Sequence, residues 1–109
     1  MSASSRFFEL QQRFVAGLER RLGDLIVLLD STAEPEALSR MFHSLAGIGG
    51  TYGFPDITTL ARQGEESCRQ SVEELRPLLP TELNALRALI SSIAAVPTNS
   101  QFARAMLAT

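Results

Sequence analysis

Phe42-His43-Ser44-Leu45-Ala46-Gly47-Ile48-Gly49-Gly50-Thr51-Tyr52-Gly53 contains the only histidine of the 109-residue chain. Read as a helix, this stretch and the residues just before it place Leu38, Met41, Phe42, Leu45, Ile48 and Tyr52 on one side, as a buried face requires. At about 100° per residue, His43 lies roughly 160° from the middle of that face, so the imidazole is expected to point outward. Its expected neighbours on the outer face are Arg40, Ala46, Gly47 and Gly50. Each glycine inside a helix costs about 1 kcal/mol relative to alanine, so Gly47, Gly49 and Gly50 together weaken this helix. Gly49 is expected to face the interior, where it would let another helix come close. Gly47 and Gly50 are expected to face outward and gain no packing within the chain. The physical use left for them is access: a second protein could press against the helix and reach the imidazole.

The same periodicity extends in both directions. Phe7, Leu10, Phe14, Leu18, Leu22, Leu25 and Leu29 predict a scaffold helix from Arg6 to about Leu29, with weak points at Gly17 and Gly23. Residues 30–34 read as a loop. Pro35 suits the first turn of the helix that carries His43, and Glu36 places negative charge near the positive end of its dipole. Gly53 is a natural stop for that helix, since glycine accepts positive φ. Pro55 opens a third helix with Ile57, Leu60, Ala61, Gly64 and Cys68 inward. The small residues Ala61 and Gly64 would let it lie close to the His43 helix. Residues 71–79 read as a short helical turn and a break, interrupted by Pro77 and Pro80. A fourth helix starts near Thr81 and carries Leu83, Leu86, Leu89, Ile90, Ile93 and Val96 as far as Pro97. Four amphipathic helices with short connections predict an all-α, antiparallel, up-down-up-down four-helix bundle over residues 1–97. Residues 98–109 read as a tail or linker, with Phe102, Met106 and Leu107 as its apolar positions; packing on the bundle, binding a partner and leading into a further domain all remain open.

Composition narrows the function classes. Hydrophobic residues make up 45% and charged residues 20%, ordinary for a globular domain, and a formal net charge of −2 gives no reason to expect nucleic-acid binding. One cysteine excludes an internal disulfide, and one cysteine with one histidine cannot make a zinc set, so no metal site is expected. Charges interrupt every apolar run before it reaches membrane-spanning length, and the first residues do not form a signal peptide, so a cytoplasmic protein with no membrane partner is expected. A monomer is expected. No glycine-rich loop ending in Lys-Ser or Lys-Thr is present to cradle a nucleotide.

His43-x-Leu45-x-Gly47, with Gly53 ten residues after the histidine, resembles the signature of histidine phosphotransfer (HPt) domains, and the likeness extends to the apolar pattern from about Phe7 to Val96. The resemblance implies a four-helix bundle that carries a phosphoryl group on His43 and exchanges it with a receiver-domain aspartate in a two-component phosphorelay. The implied partners are a response-regulator receiver domain, a sensor histidine kinase, or both. The chain would be a phosphocarrier rather than an enzyme. It would hold no cofactor of its own, and the Mg²⁺ for transfer would come from the receiver. The chain departs from the family at Ala46, where most members have lysine. Every basic side chain here is arginine, so no lysine elsewhere replaces it.

A carboxylate that accepts a hydrogen bond from Nδ1 would leave the reactive lone pair on Nε2 and stabilise charge developing on the ring. The resemblance points to Glu65, twenty-two residues after His43, with Glu66 second. Arg40, one turn before His43, and Arg62, three residues before Glu65, are the candidates to meet phosphoryl charge in place of the absent lysine. The bland alternatives are that Glu65, Arg40 and Arg62 are solvated surface charges and that His43 is an inert exposed histidine. The rival function is a bundle that keeps this shape and binds a partner without transfer; a helical dimerisation module is a third.

Overall fold

Phe14, Leu18, Leu22, Leu25 and Leu29 all lie buried along one side of α1 (Ala3–Ser31), and the residues between them are mostly exposed. This is the outcome that their spacing of three and four demands. The structure is a computed structural model that describes residues 3–31, 34–99 and 103–104. After α1 come α2 (Pro35–Thr51), α3 (Pro55–Glu73) and α4 (Pro80–Ala95), followed by a 3-10 turn over Pro97–Asn99. Each helix packs on the next in chain order, and α1 meets α4 to close the ring. The result is an up-down-up-down bundle, as the sequence predicts. Its long axis extends 51 Å against 19 Å in the other two directions. No described helix is long and apolar enough to cross a membrane.

Glycines set the closest approach. A Cβ built on Gly64 would stand 2.6 Å from the Phe42 ring, and one on Gly49 would stand 2.9 Å from the Ile57 side chain. Nothing larger than hydrogen fits at either place. With Ala61 fully buried between them, α2 and α3 come together closely along their length. The inward reading of Gly49, Ala61 and Gly64 therefore holds. At the far end Phe14 stacks on Tyr52, with ring centroids 5.4 Å apart, and packs against Phe54 at 5.6 Å. These rings tie α1 to the α2–α3 corner.

The corner itself is a Schellman motif. The Phe54 N–H donates to Gly49 O at 2.9 Å and the Gly53 N–H to Gly50 O at 3.2 Å, with Gly53 at φ 81°. The end of α3 repeats the pattern. The Arg76 N–H donates to Ser71 O and the Leu75 N–H to Val72 O, with Leu75 at φ 53°. Here a leucine occupies the position that glycine usually fills.

Several boundaries differ from expectation. α1 continues through Asp30 and Ser31 rather than stopping at Leu29. Nothing in those two residues breaks a helix. Ser31 Oγ donates to Val27 O at 2.7 Å, and Asp30 pairs with Arg87 of α4. Thr32 and Ala33 of the expected loop lie outside the described residues. α3 runs unbroken to Glu73, past the expected ambiguity at Ser71, because the prolines that interrupt the pattern come only at 77 and 80. α4 begins at Pro80, whose missing N–H is no loss in a first turn. Phe7, expected inward, is 43% exposed. It lies near the first end of α1, and its ring sits over Gly53. Phe102, Met106 and Leu107 of the expected tail lie outside the described residues.

Candidate functional site

His43 is carried at the middle of α2 with its side chain 77% exposed. Its ring is held by one neighbour: Nδ1 lies 2.9 Å from Oε2 of Glu65, which projects from α3. The sequence separation of the two is large, and the close α2–α3 approach brings them together. A carboxylate can only accept, so Nδ1 carries the proton, and the lone pair of the neutral ring is on Nε2. An ion pair this exposed adds about 1 kcal/mol at most to stability. Its consequence is the orientation of the ring.

The surrounding surface differs in part from the expected bare face. Gly47 is open, with no atom within 4 Å of a Cβ built there. Gly50 is exposed, but its Cβ would stand 3.2 Å from Thr58 Oγ1, so that glycine also makes room for α3. Ala46 is not on the outer face at all. It is buried at 6% exposure within the core cluster, because α3 lies close enough to cover it. Its carbonyl accepts a 2.5 Å hydrogen bond from Thr58 Oγ1. Sequence reasoning missed Thr58, since a threonine on a helix carries no signal of the carbonyl it will reach across an interface.

The two arginines stand differently. Arg40 is exposed and donates from Nη1 to Glu36 Oε1 at 3.1 Å, a turn back along α2. Arg62 is exposed on α3, one turn from Glu65, and pairs with no described residue. Glu66, the second choice of carboxylate, is bonded to Arg69 Nε at 2.9 Å. That leaves Glu65 as the carboxylate on the ring. Between α1 and α2, Arg21 and Asp24 flank a small groove of about 140 Å³ with Met41 and Ser44, the latter adjacent to His43.

Below Glu65, Cys68 is fully buried. Burial, with the charges of Glu82 and Glu65 added, pushes its thiol up to about 11, so it stays protonated and unreactive at neutral pH. Among the described residues no group of three or more His, Cys, Asp or Glu side chains is gathered that could hold a metal ion.

No curated protein and no solved structure matches the chain. The model of the Hpt domain family matches residues 9–96. That span covers the four helices from the second turn of α1 to the end of α4, with His43 and Glu65 inside it. The chain belongs to the Hpt domain family.

Proposed function

We propose that this chain is a phosphocarrier of a two-component phosphorelay in the cytosol, with His43 as the phosphoryl acceptor. The observation that carries this reading is a largely exposed imidazole whose Nδ1 is bonded to Glu65 at 2.9 Å. Nε2 attacks the phosphorus of a receiver aspartyl phosphate or of a phosphorylated kinase. A bond from Nε2 to phosphorus forms, the bond from phosphorus to the donor breaks, and the donor carboxylate or imidazole leaves with the electron pair. The Nδ1 proton stays in its bond to Glu65, which offsets the positive charge that develops on the ring. Glu65 is therefore a positioning residue.

Gly47 clears the approach on the outer face, and Gly50 contributes through its exposed edge. Arg62, unpaired among the described residues, and Arg40, exchanging Glu36 for the phosphoryl oxygens, take up charge that the lysine of most family members would meet. Ala46, buried in the core, takes no part in this surface. Mg²⁺ enters with the receiver, and the chain works as a monomer.

The test is phosphorylation by phosphoramidate and by phosphorylated receiver domains. Acid-labile, base-stable label should appear on the wild type and be absent from His43→Gln; equal labelling of both ends the proposal. Glu65→Ala should slow labelling roughly 10- to 100-fold through loss of ring orientation, while Glu65→Gln, which keeps an acceptor oxygen, should retain more of the rate. The missing lysine favours one other reading, a bundle that binds receivers without transfer. Equal receiver binding by wild type and His43→Ala, with no label on either, would select it.

A further inference from the structure

We propose, on the reading of His43 as the phosphoryl acceptor, that Thr58 is a positioning residue for the same site: its hydroxyl bond to α2 fixes the roll of α3 and so keeps Glu65 on the imidazole. Hydroxyls on helices ordinarily bond their own helix. Thr51, Thr59, Ser67 and Ser92 each donate to the carbonyl four residues back. Thr58 Oγ1 instead crosses to α2 and donates to Ala46 O at 2.5 Å. Two glycines clear its seat: a Cβ on Gly49 would stand 3.3 Å from Oγ1, and one on Gly50 3.2 Å. A carbonyl has two lone pairs, so Ala46 O can accept this bond as well as the one within its own helix.

Thr58 and Glu65 are seven residues apart on α3, as are His43 and Gly50 on α2. Seven residues make nearly two full turns, so each pair lies on one face of its helix. The helices run antiparallel, and the pairs meet as two rungs about 10 Å apart: Glu65 on His43, and Thr58 over Gly50. Gly64 against Phe42 and Gly49 against Ile57 set how near α3 comes. Those contacts are apolar and non-directional, so they oppose a roll of α3 about its own axis less than a hydrogen bond does. A roll of about 10° moves a side-chain end, about 6 Å from the axis, by roughly 1 Å. That would take the 2.9 Å contact between Glu65 and Nδ1 beyond hydrogen-bond range. Valine at position 58 keeps the shape of threonine, but a methyl carbon needs about 3.3 Å from a carbonyl oxygen. The hydroxyl stands at 2.5 Å, so valine turns the tether into a wedge.

The experiment follows the Nδ1 and Nε2 chemical shifts of His43 by NMR, and labelling by phosphoramidate, in wild type, Thr58→Val, Thr58→Ala and Thr58→Ser. Thr58→Val should move the ring nitrogens toward the values of a free imidazole and slow labelling roughly 3- to 10-fold. Thr58→Ala should move both in the same direction by less. Thr58→Ser, which restores the donor, should return both to wild type. In a Glu65→Ala background Thr58→Val should slow labelling no further, because it acts through Glu65. Unchanged ring nitrogens in Thr58→Val, or equal slowing in both backgrounds, would overturn the proposal. A wild type that takes no label would end the phosphocarrier reading instead, and the ring nitrogens would still decide the role of Thr58.

Discussion

Leu75 is 94% exposed and holds φ 53°, so it gains no burial and occupies a backbone region that side chains with a Cβ avoid. The three hydrogen bonds that end α3 keep it there. Leu75→Gly relieves the clash and loses no packing, and after glycine's extra chain entropy it should raise stability by about 0.5–1 kcal/mol, read from the urea midpoint. A lower midpoint would show that the leucine is held by contacts. Nothing in the sequence around Leu75 announces a left-handed residue, because leucine is a good helix former and the pattern of Val72, Leu75 and Leu78 suits a helix. His43 was legible, since the angle between it and the apolar stripe is a property of one helix. Ala46 was not, since a small residue near the stripe's edge is covered or left open by how near the next helix comes.

At the scale of elements, the glycines of α2 and α3 divide into two kinds that look alike in sequence. Gly64 faces the Phe42 ring, and Gly47 faces open space. Gly64→Ala should cost about 1–3 kcal/mol by pushing α3 off α2. Gly47→Ala should stabilise by about 1 kcal/mol, since it restores helix propensity and meets nothing. Thermal melts of the two variants check the pair. Shifts in the same direction would sink the account of α2–α3 contact given by Gly49, Ala61 and Gly64. Because Glu65 reaches His43 only across that contact, Gly64→Ala should also weaken the bond between them.

At the scale of the whole molecule, Glu82 of α4 gathers a polar link to the end of α3 and the connection that follows it. Glu82 accepts from Arg76, from the Leu79 N–H at 2.7 Å and from Ser71 Oγ at 3.2 Å. The Arg76 hydrogen bond, then the Leu79 N–H, holds its carboxyl well below the ordinary 4.5, at about 2. A carboxyl lowered on folding contributes stability that is complete above the ordinary value and disappears as pH falls toward the folded one. The wild type should therefore lose stability between pH 4.5 and about 2 more steeply than Glu82→Gln, which starts out less stable at pH 7. Unfolding midpoints across that range test this; parallel curves would show that the link contributes nothing.

The sequence by itself determined the number of helices, most of their starts at Pro35, Pro55 and near Pro80, the stop at Gly53 and the outward imidazole. Those are consequences of period and local backbone chemistry, which act within a few residues. Tertiary structure decided what stands beside His43: Glu65 on its Nδ1, Thr58 on the Ala46 carbonyl, Ala46 covered and Gly47 left open. Each of these depends on the separation and register of α2 and α3. That separation is set jointly by hydrogen-sized side chains at Gly49 and Gly64 and by the volumes of Ile57 and Phe42 opposite them, a sum over two helices that neither one's pattern contains.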